Sequence, residues 1–165
     1  MIAINNILVA TDFGEASDSA LRYGRELATR FGATLHVLHV AQNVYVTTFG
    51  AETYAAIVPE MQDEIEKAAK KRLDEALIDS DGSGPKTKAV VMTSSSPAYA
   101  IVDYARDHAV DLIVMGTHGR GALAHIVMGS VAERVVRLAT CPVLTVRHPE
   151  HEFVKPDTLA VAAHA

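Results

Sequence analysis

Short apolar runs alternate with helix-forming segments along this chain, and that alternation limits the fold more than any other feature of the sequence. Ile7-Leu8-Val9-Ala10 has no polar face, the pattern of a strand buried on both sides, and such strands belong to parallel sheets. From Ala16 to Phe31, Ala20, Leu21, Gly24, Leu27, Ala28 and Phe31 recur at helical spacing, and Gly32 offers a left-handed C-cap. A second strand is expected over Ala33–Val40. Residues Ala41 to Pro59 carry no clean period and are expected to form a long excursion that is either mobile or covers a site. An amphipathic helix follows over Glu60–Ile78, with Ile65, Ala69, Leu73, Ala76 and Leu77 on one face. Asp79 to Pro85 is a turn by composition, and Thr87–Met92 is the third strand.

Ser96-Pro97 starts the next helix: the Ser96 hydroxyl is expected to accept from an orphan N–H, and proline at the first helical position forfeits no hydrogen bond. That helix is expected to end near His108. Leu112–Met115 is the fourth strand, Ser130–Ala139 a fourth helix, and Val143–Val146 the fifth strand. Strands separated by helices require a parallel sheet with right-handed crossovers, hence an α/β fold doubly wound with helices on both faces. Ligands in such folds bind beyond the carboxyl ends of the strands, where the winding reverses. The expected division is one domain over residues 1–147 and a peripheral C-terminal tail over 148–165.

Composition narrows the partners. A formal net charge of −5 with scattered basic residues argues against nucleic acid, since duplex binding draws on clustered Lys and Arg; the one tight run, Lys70-Lys71-Arg72, is expected to be a solvated helix face. No apolar run approaches the ~20 residues of a membrane helix, and no secretory signal opens the chain, so no membrane association and a cytoplasmic location are expected. The single cysteine, Cys141, cannot form an intrachain disulfide and is expected to be a small buried side chain at the start of strand five. His36 and His39 stand three apart on a strand, so they face opposite ways and make no metal pair. His118 and His125 fall in a loop better suited to phosphate than to metal. No protein-borne metal site is expected.

That loop holds the chemistry. After strand four comes Gly116-Thr117-His118-Gly119-Arg120-Gly121, and Gly129-Ser130-Val131 opens helix four. Glycines let backbone N–H groups approach phosphate oxygens, while a helix N-terminus adds orphan donors and about half a positive charge. Ser130 adds a hydroxyl and Arg120 a charge-assisted contact. Asp12, ending the first strand, is placed either to accept from ribose hydroxyls or to cap helix one.

These motifs, together with Ile7-Leu8-Val9-Ala10-Thr11-Asp12-Phe13, Ser96-Pro97-Ala98 and Cys141-Pro142-Val143-Leu144-Thr145-Val146-Arg147, resemble the ATP-binding branch of the universal stress protein family over about Asn5 to Arg147. The resemblance implies an open five-stranded parallel sheet ordered 3-2-1-4-5, of the adenine nucleotide alpha hydrolase type. It also implies an adenine nucleotide site made by Ala10, Thr11, Asp12, Val40, Met115, Gly116, Gly119, Arg120, Gly129, Ser130 and Val131, with ATP as cofactor and Mg or Mn accompanying its phosphates. Gly14 and Ser95-Ser96-Pro97 depart from the family's usual serine and glycine. The implied role is a stress-response or regulatory module that acts on an unknown protein partner, with slow or no hydrolysis. A Walker lysine is missing beside Gly129-Ser130, and no Ser-Gly-Gly pyrophosphate loop follows strand one. The alternative is a genuine ATPase or adenylate-forming enzyme using the same site; a third possibility is a member that has lost nucleotide, against which the intact glycine pattern speaks. In the 3-2-1-4-5 order, strand 143–146 is an apolar edge, so a homodimer through it is expected.

Overall fold

A computed structural model describes residues 2–44, 57–78, 84–118 and 128–148. Along the chain run β1 (Asn6–Thr11), α1 (Glu15–Phe31), β2 (Thr34–Gln42), α2 (Ile57–Ala76), β3 (Thr87–Ser94), α3 (Pro97–Asp107), β4 (Leu112–Gly116), α4 (Ser130–Leu138) and β5 (Val143–Val146). The strands form one sheet in the order β3-β2-β1-β4-β5, and every neighbouring pair is parallel. This is the doubly wound arrangement expected from the alternation and the order implied by the family resemblance.

The two-residue period of the strands divides the core between the two faces. Ile7, Val9, Leu35, Val37 and Val114 pack with Ala20, Leu21 and Ala28 of α1 and Leu73 of α2. Leu8, Ala10, Leu38, Ile113 and Met115 pack on the other side with Ile101, Val102 and Ala105 of α3 and Val135 of α4. Strand β1, in the middle, is buried on both faces from Ile7 to Thr11. Crossovers leading from β1 to β2 and β3 therefore use one face, and those leading to β4 and β5 use the other.

Several local expectations need correction. Gly32 does adopt the left-handed C-cap of α1, with φ 64°. The Ser96 hydroxyl, however, does not cap α3. Ser94 Oγ instead accepts from the Ser96 N–H at 3.0 Å, and the Ser96 carbonyl accepts from Ala100. Proline still occupies the first helical position. Ala76 is exposed on α2 because it lies at the helix end, where its carbonyl accepts from Arg25 Nη2 at 2.8 Å. The excursion after β2 is shorter than expected, since β2 runs to Gln42 and α2 begins at Ile57; residues 45–56 lie outside the described residues. The turn residues 79–83 and the tail 149–165 also lie outside them. Cys141 is half-buried, where loss of solvent pushes its thiol pKa up. Lys70 and Lys71 are solvated as expected, paired with Asp74 and Glu75, but Arg72 turns to lie over the Phe13 ring. Among the described residues, no helix is long and apolar enough to cross a membrane.

His36 and His39 do face opposite sides of β2. His36, 1% exposed, meets Tyr104 Oη through Nδ1 at 2.8 Å, whereas His39 Nδ1 donates to the Thr11 carbonyl at 2.9 Å. The buried His36 Nε2 has no hydrogen-bond partner among the described residues. Burial first, then Lys88 and His108, hold the His36 pKa below its ordinary 6.5, so the folded chain keeps this ring neutral. The unfolded chain takes up that proton as pH falls through 6.5, while the folded chain does so only at lower pH. This contribution to stability is therefore full above the unfolded value and declines as the solution is acidified below it. Urea unfolding should show stability falling from pH 8 toward pH 5, and His36→Leu should flatten that slope; an unchanged slope in the variant would remove His36 as its source.

Candidate functional site

The winding reverses at β1, which pairs with β2 on one side and β4 on the other. A cavity of about 370 Å³ opens beyond the carboxyl ends of these three strands, within the range of small-molecule sites. Ala10, Thr11 and Asp12 line it from β1, Val40 from β2, Met115 and Gly116 from β4, and Gly129, Ser130 and Val131 from the start of α4. The structure thus gathers these candidates around one space. Gly119 and Arg120 lie outside the described residues, as does His125.

The walls divide by chemistry. Leu38, Val40, Ile101, Met115, Val131 and Ala132 make an apolar part, and Asp12, Thr11, Ser17, Thr117, His118 and Ser130 a polar one. No Lys or Arg lines the cavity among the described residues. Polar attraction for an anion comes there from uncharged donors, backbone amides and hydroxyls such as that of Ser130. The Gly129 N–H donates to the Thr117 carbonyl at 2.7 Å, so the two ends of the intervening loop are tied together, and Thr117 N–H is in turn held by the Val146 carbonyl. Helix α4 is thereby fixed with its N-terminus on the cavity. Its first intrahelical bond runs from Glu133 N–H to the Gly129 carbonyl at 2.9 Å, which leaves the amides of Ser130, Val131 and Ala132 ahead of it. Gly129 supplies no side chain to cap them.

The glycines serve two different ends. A Cβ on Gly116 would lie 2.9 Å from the backbone carbon and the Cβ of Ala16, so this glycine is required by the packing of α1 on β4 as well as by the open cavity wall. At Gly129 a Cβ would come 3.3 Å from the Thr117 carbonyl oxygen, tight against the very bond that closes the loop.

On the β1 side the chain turns sharply. Phe13 has φ 63°, the left-handed region that costs a non-glycine residue about 1–2 kcal/mol. Its N–H donates to Thr11 Oγ1 at 3.0 Å, and the next N–H, of Gly14, donates to Asp12 Oδ1 at 3.1 Å. Ser17 Oγ accepts a second bond from Gly14 N–H, donates to the Gly14 carbonyl and lies 3.1 Å from Thr11 Oγ1. Asp12 therefore both lines the cavity and holds the turn before α1. Ser17, Leu38, His39, Pro97, Ile101 and Ala132 also stand on the wall and are not among the sequence candidates. Pro97 and Ile101 were findable, being four apart on the predicted third helix and so on one face; a lone serine early in α1 gave no signal.

Residues 3–147 match the model of the universal stress protein family. The chain belongs to this family. Its relatives include the universal stress protein YxiE of Bacillus subtilis, 34% identical over 148 residues, covering 87% of this chain and 99% of the relative. The universal stress protein MJ0531 of Methanocaldococcus jannaschii is 33% identical over 146 residues, covering 88% of this chain and 84% of the relative. Among solved structures, the protein MJ0577 superposes with a TM-score of 0.76 at 27% identity, covering 91% of this chain and all (100%) of that one. A universal stress protein in complex with cAMP matches at a TM-score of 0.57 and 23% identity, covering 88% of this chain and 98% of that one, a likeness of fold.

The packing at Gly116 yields a direct test. Gly116→Ala should destabilise this universal stress protein by about 1–3 kcal/mol, because α1 must shift to admit the methyl group. A lower urea midpoint with an unchanged slope is expected; wild-type stability would show that the close approach is relieved at no cost.

Proposed function

We propose that this chain is an ATP-binding universal stress protein, a nucleotide-dependent regulatory or stress-response module with slow hydrolysis or none. One observation carries the reading. At the reversal of winding, an apolar half-cavity that suits a flat purine ring lies beside the uncapped N-terminus of α4, whose leading amides suit phosphate oxygens. Asp12, on the same wall, suits the ribose hydroxyls. The solved relative that holds cAMP supports an adenine nucleotide as the ligand class. Ala10, Thr11, Val40, Met115, Gly116, Ser130 and Val131 complete the contacts, with Gly119 and Arg120 on the adjoining loop. Magnesium or manganese arrives with the phosphates, as hard cations do, and the hydroxyl and carboxylate oxygens of Thr117, Ser130 and Asp12 are compatible donors.

The enzyme reading has less behind it. Phosphoryl transfer needs a positioned base and clustered charge, and the described wall offers one carboxylate and no Lys or Arg. ATP is expected to bind with a dissociation constant of about 1 μM, near −8 kcal/mol, from many backbone donors and few fixed charges. Calorimetry should show that Gly129→Val abolishes binding while far-UV circular dichroism is kept; undiminished affinity would refute the phosphate assignment. Steady-state turnover should fall well short of the enzyme median of about ten per second, and a rate near that value would favour the ATPase.

The same reading includes a homodimer through β5, the sheet edge. Val143, Leu144 and Thr145 are part-exposed there, whereas Val146 is 2% exposed within the single chain and adds nothing to the patch. Ile113 N–H donates to the Pro142 carbonyl and Thr117 N–H to that of Val146, so alternation along the strand turns the backbone of Thr145 to the open edge. Thr145→Pro thus deletes an edge donor and spares the β4–β5 ladder. Light scattering should give a dimer for the wild type and a monomer for the variant. A single-chain mass for the wild type at micromolar concentration would sink the dimer.

A further inference from the structure

We propose that Phe13 is a positioning residue for nucleotide, acting through Asp12 to make binding depend on the ribose hydroxyls; this deepens, and rests on, the adenine-nucleotide reading above. Phe13 does not line the cavity, yet its backbone shapes the wall that does. Its left-handed φ of 63° accompanies two successive amides aimed back at that wall, its own at Thr11 Oγ1 and that of Gly14 at Asp12 Oδ1. A carboxylate so held is restricted in rotation, and a fixed acceptor discriminates for a hydroxyl better than a mobile one. A phenylalanine takes this backbone conformation only where its surroundings impose it.

The surroundings are side chains of two other elements. The Phe13 ring lies 4.4 Å from the His39 ring, centroid to centroid, and the Arg72 guanidinium carbon lies 4.4 Å from the same ring. His39 is itself anchored, its Nδ1 donating to the Thr11 carbonyl at 2.9 Å. Three elements thus meet at one ring: β2 through His39, α2 through Arg72, and the β1–α1 turn. The ring contacts hold the strained residue in place, and the strained residue aims the two amides, its own at Thr11 Oγ1 and that of Gly14 at the Asp12 carboxylate. Asp12 and His39 both stand on the cavity wall, so the chain of contacts begins and ends at the site.

The test compares ATP with 2′,3′-dideoxy-ATP, which lacks the hydroxyls that Asp12 would meet, by calorimetry on the full chain. The wild type is expected to prefer ATP by about tenfold, the value of one hydrogen bond to a charged group. In Phe13→Ala that preference should collapse through loss of ATP affinity, with dideoxy-ATP affinity held within about twofold, a split that general loosening of the fold does not produce. Phe13→Tyr, which keeps the ring, should retain it. Arg72→Ala, whose side chain is exposed on α2, gives the same readout with the ring in place should Phe13→Ala fail to fold; a roughly threefold preference is expected. Wild-type preference persisting in Phe13→Ala, or in Arg72→Ala where the first variant does not fold, overturns the inference and leaves the nucleotide site standing. A wild type that binds neither nucleotide overturns the underlying reading and this inference with it.

Discussion

Two crossovers that leave the middle of a parallel sheet in opposite directions cannot cover the strand ends between them. Here β1 feeds α1 on one face, while β4, its neighbour on the other side, receives its connection from α3 on the opposite face. Above Thr11 and Gly116 the helices diverge, and the space between them is the cavity. Everything else at the site follows from how that gap is edged. On the β4 side, one hydrogen bond from Gly129 N–H to the Thr117 carbonyl returns the chain to its starting point and points α4 at the gap. On the β1 side, the turn at Phe13 performs the corresponding task for α1.

Most of the frame was legible because the physical signals agree with one another. Runs such as Ile7 to Ala10 and Leu112 to Met115 have no polar face, and only a doubly covered strand tolerates that. Boundaries were legible where a single residue decides them, as at Gly32, and illegible where tertiary contacts do. Strand β2 continues to Gln42 because β3 pairs with it as far as Ser94, and no property of Ala41 or Gln42 announces this. The start of α2 at Ile57 was hidden in the same way, by a segment without period. Ser96 shows the limit of local rules: its sequence is that of a cap, but the preceding Ser94 hydroxyl takes the Ser96 amide and no side-chain cap forms.

For the site, the sequence singled out positions through glycines and one carboxylate, and those positions do share a cavity. What it could not supply was the reason for each. Gly116 looks like a phosphate-loop glycine, yet Ala16 already forbids a Cβ there. Arg72 looks like the end of a solvated basic run, yet the packing of α2 beside the β1–α1 bend brings it over an aromatic ring remote in sequence. Such contacts depend on distances between elements, which periodicity within an element does not encode.

The uncapped start of α4 links the site to stability. Relative to a serine or aspartate at the N-cap, glycine costs a helix only a few tenths of a kcal/mol, so Gly129 leaves the leading amides uncapped at little cost. The leading amides are left facing a cavity, where a side-chain cap would compete with any anionic ligand for the same donors. A glycine there keeps those amides open to a ligand at little loss of stability in the empty chain. With the proposed dissociation constant of about 1 μM and nucleotide at about 1 mM, mass action alone would add about 4 kcal/mol to the folded state. Set against a typical domain stability of about 5–15 kcal/mol, that is a large share.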